Sequence, residues 1–216
     1  MTLRHHIAIL LSLCFLCCAF PQAGHCDLKI FLKKYRYTSI PAANLGKIIR
    51  YDSLIEYYAG FSYFQPGYTV NPDFIRALIL AESACDPHAI SPKKAFGLSQ
   101  ILLSTGRQAA RELARIPVPL KYIDRERLAN IQEEDLFDPA INILLTCYLI
   151  SKYNSRYDGK LELVISAWNA GENTGGLDSG LPAPYLETHE LIGKVNGYFL
   201  YLLDQNKGHG SRYSSN

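Results

Sequence analysis

The chain has 216 residues, of which 48% are hydrophobic and 19% are charged. This size and composition suit one domain with a packed core, and they exclude collagen, coiled coil and wholesale disorder. Lys and Arg total 22 against 20 Asp and Glu, a net charge of +2. This near balance argues against a dedicated nucleic-acid-binding protein, which would show a basic stripe.

The first residues have the pattern of an export signal. A short start containing Arg4 precedes an apolar run from Ile7 to Phe20, which is shorter than the roughly 20 residues needed to span a bilayer. Small residues follow, so we expect cleavage near residue 24. Residues 1–24 are therefore predicted to be a signal peptide that sends the chain to the periplasm or cell envelope, with no stable membrane span after its removal.

Cleavage would leave three of the six cysteines, Cys26, Cys85 and Cys147. In an oxidising compartment Cys85 and Cys147 could form a disulfide. The alternative is that both are buried thiols, and the sequence leaves this choice open. Cys26 is expected to be unpaired.

Residues 25–50 are predicted to form a basic N-terminal arm, irregular between Asp27 and Arg50 because no clear periodicity is present. The arm is interpreted as a solvated lead-in or, alternatively, as a contact with an anionic wall polymer. The main domain is predicted to cover residues 51–206. A flexible tail is predicted over residues 207–216.

The pattern predicts a mainly α-helical domain, since no useful alternating strand runs occur. A first helix is predicted from Tyr51, followed by a loop over residues 60–70. The clearest helix start is Asn71-Pro72, a capping residue followed by proline at the first helical position. Further helices are predicted from about Ser104 to Leu113, from Asp138-Pro139, around Leu161 to Trp168 with a stop at Gly171, and from about Glu187.

Glu82 is the anomaly in this pattern. It continues the apolar face that Ile75, Leu78 and Ile79 form on the helix opened by Asn71-Pro72. Burial and the negative end of the helix dipole should both raise the pKa of such a carboxyl group. A protonated glutamic acid near neutral pH can donate a proton to a leaving oxygen, as glycosidic bond cleavage requires. The alternative is a structural glutamate held by hydrogen bonds or placed on a rim.

Other chemistries find no support in the motifs. No His-x-x-x-His pair occurs, and no Cys-x-x-Cys pair occurs outside the export segment. Gly-rich phosphate loops, nucleophile elbows and dinucleotide fingerprints are also missing from the sequence. We therefore expect no metal site and no cofactor.

The surroundings of Glu82 resemble a known family. The matching segments occur in chain order, over about Tyr51 to Leu203: residues 71–83 ending in Glu82-Ser83, residues 86–92, Ala95-Phe96-Gly97-Leu98-Ser99-Gln100, Asp135 to Pro139 with Asn142 and Tyr148, Ala167-Trp168-Asn169-Ala170-Gly171, and Pro184 with Glu187-Thr188. Together they resemble the soluble lytic murein transglycosylases.

The resemblance implies a lysozyme-like helical domain with a substrate cleft. It implies peptidoglycan glycan strands as substrate, cut between N-acetylmuramic acid (MurNAc) and N-acetylglucosamine (GlcNAc) to give a 1,6-anhydromuramoyl product. Glu82 would be the single acid/base. Substrate-binding roles would fall to Ser83, Gly97, Gln100, Tyr148, Trp168, Asn169 and Glu187.

Six of these seven substrate-binding residues also have a structural interpretation. Trp168 and Tyr148 could be core residues, Ser83 could bond back to a helix carbonyl, and Gly97 could serve a turn. Gln100 could face solvent, and Glu187 could simply favour a helix start.

The chain departs from the family pattern at three positions, Ser99 for the usual Met, Trp168 for Tyr and His189 for Arg. Its loop over residues 60–70 is also longer than common, so the shape of the subsites is open. Two alternatives to a lytic transglycosylase are a hydrolytic muramidase using the same acid and a non-catalytic peptidoglycan-binding or assembly module. The sequence identifies no protein partner.

Overall fold

A computed structural model of the protein describes residues 27–117 and 119–213, with the backbone alone for residues 207–213. The predicted signal peptide (1–24), Cys26 and residues 214–216 lie outside the described residues. Among the described helices, none combines the length and the apolar run that crossing a membrane would require.

The described chain is mainly α-helical, as predicted. Its helices are α1 (Leu28–Tyr35), α2 (Ala42–Ile48), α3 (Asp52–Ala59), α4 (Pro72–Ser83), α5 (Leu103–Leu113), α6 (Arg125–Ala129), α7 (Pro139–Arg156), α8 (Leu161–Ala170) and α9 (Leu186–Tyr213). One small antiparallel sheet, which the sequence did not indicate, pairs β1 (Ala95–Phe96) with β2 (Ile101–Leu102). Short 3₁₀ turns cover Ile49–Tyr51, Glu134–Phe137 and Leu177–Ser179.

Helix α4 begins as the sequence predicts. Asn71 caps it, because its side chain accepts a 2.8 Å hydrogen bond from the backbone N–H of Asp73, and Pro72 occupies the first turn. The helix ends at Ser83 because Ala84 and Cys85 take the left-handed conformation, with φ of 51° and 66°. Ending there places residue 82 in the last turn of the helix.

Helix α7 forms the centre of the core. It packs against α3, α5 and α8, and Ile141, Leu144 and Leu145 are fully buried. Asp138 caps its start by accepting a 2.9 Å hydrogen bond from the N–H of Ala140. Burial around most of its surface is typical of a helix that other elements surround.

The predicted irregular conformation of the N-terminal arm is wrong. Residues 28–35 and 42–48 form α1 and α2, and α1 lies along α9. Two glycines of α9 permit this close packing: a Cβ at Gly193 would lie 2.7 Å from the carbonyl oxygen of Phe31, and one at Gly197 would overlap the carbonyl of Tyr35. Lys34 and Tyr35 also hydrogen-bond the carboxylate of Glu190, so the arm is fastened to the domain.

The structure also decides one open choice and corrects one expectation. Cys85 and Cys147 are both free and buried, so the structure has the two-thiol alternative rather than the disulfide. Burial raises the pKa of the Cys85 thiol to about 11 and that of Cys147 still further. Helix α9 continues to Tyr213, beyond the end expected near Lys207.

Candidate active site

Five of the predicted site residues meet at one pocket. The pocket encloses about 440 Å³ and lies between the last turn of α4, the β1–β2 segment, the end of α8 and the start of α9. Its lining residues are Glu82, Ser91, Pro92, Lys93, Ala95, Gln100, Leu102, Trp168, Asn169 and Glu187.

Glu82 is partly buried in this pocket, and burial is the largest influence on its acidity. Burial raises the pKa of Glu82 from 4.5 to about 7, against a hydrogen bond from Trp168 and the charge of Lys194, which both lower it. The charge of Glu187 adds a smaller upward effect. Glu82 therefore holds a proton up to near-neutral pH and can lose it there, as a group that both donates and accepts protons must.

Trp168 reaches Glu82 from helix α8. Its indole Nε1–H donates a 2.7 Å hydrogen bond to Glu82 Oε1. The ring is only partly buried and also packs against the hydrophobic core. The two interpretations from the sequence, cleft wall and core, therefore both describe this residue.

Lys194 is a neighbour of the site that the sequence analysis missed. Its ammonium group donates a 2.8 Å hydrogen bond to the carbonyl oxygen of Ala81, in the last turn of α4. Burial lowers the pKa of Lys194, while the carboxylates of Glu82 and Glu190 raise it. The ammonium thus supports the end of the helix that carries Glu82 and favours the ionised form of that carboxyl group.

Asn169 and Glu187 line the pocket from the end of α8 and the start of α9. Asn169 Oδ1 accepts a 2.5 Å hydrogen bond from the hydroxyl of Thr188, which joins the end of α8 to the start of α9. Glu187 is exposed and forms a 2.5 Å ion pair with Lys93. This pair connects α9 to the segment before β1, although exposed ion pairs contribute little to stability.

Gln100 connects the turn between the two strands to the site. It takes a positive φ of 54°, and its Nε2 donates to the carbonyl oxygens of Gly97 (2.8 Å) and Ala89 (3.1 Å). These bonds hold the side chain in place at the pocket. Because both Nε2 hydrogens are used in these bonds, the Oε1 atom remains to accept a hydrogen bond from a hydroxyl or acetamido N–H group.

Ser83 and Gly97 shape the same loop, and neither is among the residues lining the pocket. Ser83 Oγ donates a 2.7 Å hydrogen bond to the carbonyl of Leu98, which ties α4 to the loop. Gly97 is buried with φ of 73°, and a Cβ there would overlap the carbonyl oxygen of Leu136. Glycine is therefore required by backbone conformation and by packing.

Asn142, on α7, completes the support of this loop. Its Nδ2 donates to the carbonyl oxygens of Phe96 (3.1 Å) and Leu136 (2.9 Å), and its Oδ1 accepts from the N–H of Ser99 (3.0 Å). The side chain is fully buried. Three hydrogen bonds at one buried amide fix the loop against the core.

Tyr148 lies apart from the pocket. It is a buried core residue whose hydroxyl donates a 2.7 Å hydrogen bond to Glu112. Burial and this carboxylate both raise the pKa of Tyr148. Tyr148 is therefore not among the residues that line the pocket, and the structure agrees with the alternative interpretation of a core residue.

His189, at the position of a departure from the family pattern, is also buried. Neither ring nitrogen has a hydrogen-bond partner among the described residues, and the ring lies edge-on to Phe31 of α1. Within residues 27–117 and 119–213, no His, Cys, Asp and Glu side chains group in a way that could hold a metal ion.

Comparison with known proteins agrees with this architecture. A protein of Haemophilus influenzae named as a soluble lytic murein transglycosylase is 31% identical over 151 residues, which are 64% of this chain and 23% of that protein. An inactive glutamate-to-glutamine mutant of lytic transglycosylase Slt from Pseudomonas aeruginosa has a similar fold, with a TM-score of 0.53 and 21% identity over 77% of this chain and 25% of that one. The 70 kDa soluble lytic transglycosylase of Escherichia coli is similar at a TM-score of 0.55 and 21% identity, over 70% of this chain and 24% of its own.

This chain therefore spans about a quarter of the length of these relatives. The structural likeness supports the predicted lysozyme-like helical fold. The model of the transglycosylase SLT domain family matches residues 61–177, more than half of the chain. The chain belongs to the transglycosylase SLT domain family.

Proposed function

We propose that this protein is a peptidoglycan lytic transglycosylase. It would cleave the β-1,4 bond between MurNAc and GlcNAc and form a 1,6-anhydromuramoyl end. The observation that carries this proposal is the state of Glu82, a carboxyl group in a pocket whose pKa is raised to about 7 by burial. Family membership supports the same substrate class.

In the first step, protonated Glu82 donates its hydrogen to the glycosidic oxygen as the bond to the muramoyl C1 breaks. The acetamido group of the substrate assists this departure, so no second carboxylate is needed as a nucleophile. The hydrogen bond from Trp168 and the charge of Lys194 then stabilise the carboxylate that remains.

In the second step, the Glu82 carboxylate accepts the proton of the muramoyl 6-hydroxyl as that oxygen bonds to C1 and displaces the assisting acetamido oxygen. Burial makes the carboxylate a stronger base than it would be in water, which favours this transfer. The proton donated in the first step is thereby recovered, and no water enters the product.

We propose that the substrate is held by the residues that share the pocket with Glu82. The amides of Gln100 and Asn169 would bond hydroxyl or acetamido groups, and the ring of Trp168 would face a sugar. Glu187 would bond substrate near the acid and raise the proton affinity of Glu82. Ser83 and Gly97 would act indirectly, by holding the loop that presents Gln100.

We further propose that the chain is exported to the cell envelope, where its polymer substrate lies. The charged start and apolar run within residues 1–24 support this step. Fusing residues 1–30 to a reporter that is active only outside the cytoplasm tests it. An inactive fusion that is made in normal amounts would contradict export.

Product analysis tests the reaction. Purified sacculi are digested with the wild type, with Glu82→Gln and with Glu133→Gln, a control that makes the same exchange at an exposed glutamate. We expect anhydromuropeptides, one water lighter than hydrolysis products, from the wild type and the control and none from Glu82→Gln. Reducing muropeptides would indicate a muramidase instead, and unchanged cleavage by Glu82→Gln would show that the acid lies elsewhere.

A further inference from the structure

A second pocket lies at the other end of α4 from Glu82. It encloses about 460 Å³ between the loop that follows α3 and the C-terminal end of α7. Its lining residues are Phe64, Gln65, Tyr68, Thr69, Ser151, Asn154, Ser155, Asp158 and Gly159. None of these lines the Glu82 pocket.

The separation between the two pockets follows from the length of α4. The loop that lines the second pocket comes before the first turn of the 12-residue helix α4, and Glu82 is in its last turn. At 1.5 Å per residue, a helix of this length spans roughly 18 Å. The second pocket is therefore distinct from the Glu82 pocket, with which it shares no lining residue.

Two aromatic rings are exposed at this second pocket. Phe64 is 41% and Tyr68 is 71% accessible, although large aromatic side chains are usually buried. An exposed ring next to a concavity offers a flat apolar surface to a ligand. The apolar C–H face of a pyranose ring is a ligand surface of that shape.

The remaining lining is polar and almost uncharged. Gln65 and Asn154 contribute amides, and Thr69, Ser151 and Ser155 contribute hydroxyls. These groups can both donate and accept hydrogen bonds, as sugar hydroxyl and acetamido groups do.

Charge narrows the class of ligand. Asp158 is the one charged side chain among the lining residues, and no Lys or Arg is present there. Phosphate and other anions would therefore meet no compensating positive charge. A neutral, hydroxyl-rich ligand with an apolar face fits this lining best.

The pocket is also held in shape. The ring of Phe64 packs on the buried ring of Tyr148, at 5.4 Å between centroids. The loop is closed by hydrogen bonds from Val70 N–H to the Ala59 carbonyl (3.1 Å) and from Gly67 N–H to the Ser62 hydroxyl (3.2 Å). A rigid wall reduces the ordering cost of binding.

We propose that this pocket is a second saccharide-binding site, which takes an N-acetylhexosamine unit of a glycan strand at a distance from the Glu82 pocket. Tyr68 and Phe64 supply the stacking surface, and Gln65 and Asn154 bond the acetamido and hydroxyl groups. Holding a polymer at two places raises the effective concentration of the strand at the Glu82 pocket. The second site thus increases the time that the protein stays bound to a long glycan strand.

Binding of chitotetraose, the tetramer of N-acetylglucosamine, tests this assignment. Full-length Glu82→Gln protein is titrated while amide signals are followed by heteronuclear NMR, so that each pocket reports separately. We expect signals of Asn154 and Gly159 to shift in a saturable way, and Tyr68→Ala to weaken that response roughly tenfold. Tyr37→Ala is the matched control, because Tyr37 is 87% exposed and lines neither pocket.

Asn154→Ala provides a second variant in case Tyr68→Ala disturbs the loop, and circular dichroism verifies that each variant is folded. Shifts confined to the Glu82 pocket, or equal binding by the control and both variants, would overturn the proposal. A response to free stem peptide but not to chitotetraose would do so as well. Cleavage of sacculi is measured separately, so a wrong assignment of Glu82 and a wrong assignment of this pocket give different results.

Discussion

The raised pKa of Glu82 should make the stability of the protein depend on pH. In the unfolded chain the carboxyl group has its ordinary pKa of 4.5, and in the folded protein the pKa is about 7. The folded state therefore binds this proton more tightly, so ionisation opposes folding. The associated stability is fully present below pH 4.5 and is lost as the pH rises to about 7.

The size of the effect follows from the two pKa values. A tenfold change in proton affinity is worth about 1.4 kcal/mol, so the gap between 4.5 and about 7 corresponds to about 3 kcal/mol. Glu82→Gln removes the ionisation and keeps an oxygen that can accept the Trp168 hydrogen bond. Relative to the wild type, the variant should gain about 3 kcal/mol in unfolding free energy between pH 4.5 and pH 8.

Thermal unfolding of the two proteins across this pH range measures the gain. For a chain of this size, 3 kcal/mol corresponds to a relative rise in Tm of roughly 6–12 °C. Glu133→Gln serves as the control, since it removes a solvated carboxylate and should not reproduce the pH-dependent gain. A difference between Glu82→Gln and wild type that stays constant with pH would refute the reasoning, and one that grows towards acid would reverse its sign.

Three further predictions follow from the same contacts. Trp168→Phe removes the hydrogen bond that lowers the pKa of Glu82, so the alkaline limb of the kcat/KM profile should move to higher pH; an unmoved limb would contradict this. Lys194→Met should move that limb in the same direction but less, because the influence of Lys194 on the pKa of Glu82 is smaller. A shift of the limb to lower pH would contradict the assigned effect of the Lys194 charge. Gly97→Ala should lower the unfolding free energy by at least about 3 kcal/mol, through backbone strain and overlap with Leu136. Gly159→Ala, at a similar φ of 67° in open space, should lower it by about 1–2 kcal/mol from strain alone. Chemical denaturation compares the two variants, and equal losses would mean that the overlap at Gly97 is relieved.

Local signals in the sequence were sufficient for much of the helical framework. The start of α4 follows from Asn71-Pro72 and the end of α8 from Gly171, because a capping residue acts on the helix turn next to it. The end of α4 was harder to predict from the sequence. Ala84 and Cys85 terminate it in a left-handed conformation that non-glycine residues seldom take, so neither residue type signals it.

The error over α1 had a different cause. Its apolar residues Leu28, Phe31, Leu32 and Tyr35 have helical spacing, but the basic residues between them drew the interpretation towards an irregular arm. The docking partners, Gly193 and Gly197, lie far away in the chain. Glycines inside a helix pattern usually weaken it, and only the packed structure shows that these two allow another helix to approach.

The candidate site shows the same limit of local reasoning. The position of Glu82 on an apolar helix face correctly indicated a raised pKa. Lys93 and Lys194 were not predicted, because their relation to the pocket depends on how α9 packs beside α4. Tyr148 was placed with the substrate-binding residues because of its motif, although its helical spacing on α7 also indicated the core.

The proposed chemistry depends on the balance of opposing influences at Glu82. Burial alone would hold the proton firmly and make the first transfer unfavourable, whereas the Trp168 hydrogen bond and the Lys194 charge alone would leave a weak base for the second. A pKa near 7 keeps both transfers accessible at neutral pH. This balance requires α4, α8 and α9 to meet at one point, because Glu82, Trp168 and Lys194 lie on these three helices. The motif residues Gly97 and Asn142 serve a different purpose, since they fix the loop that presents Gln100 against α7.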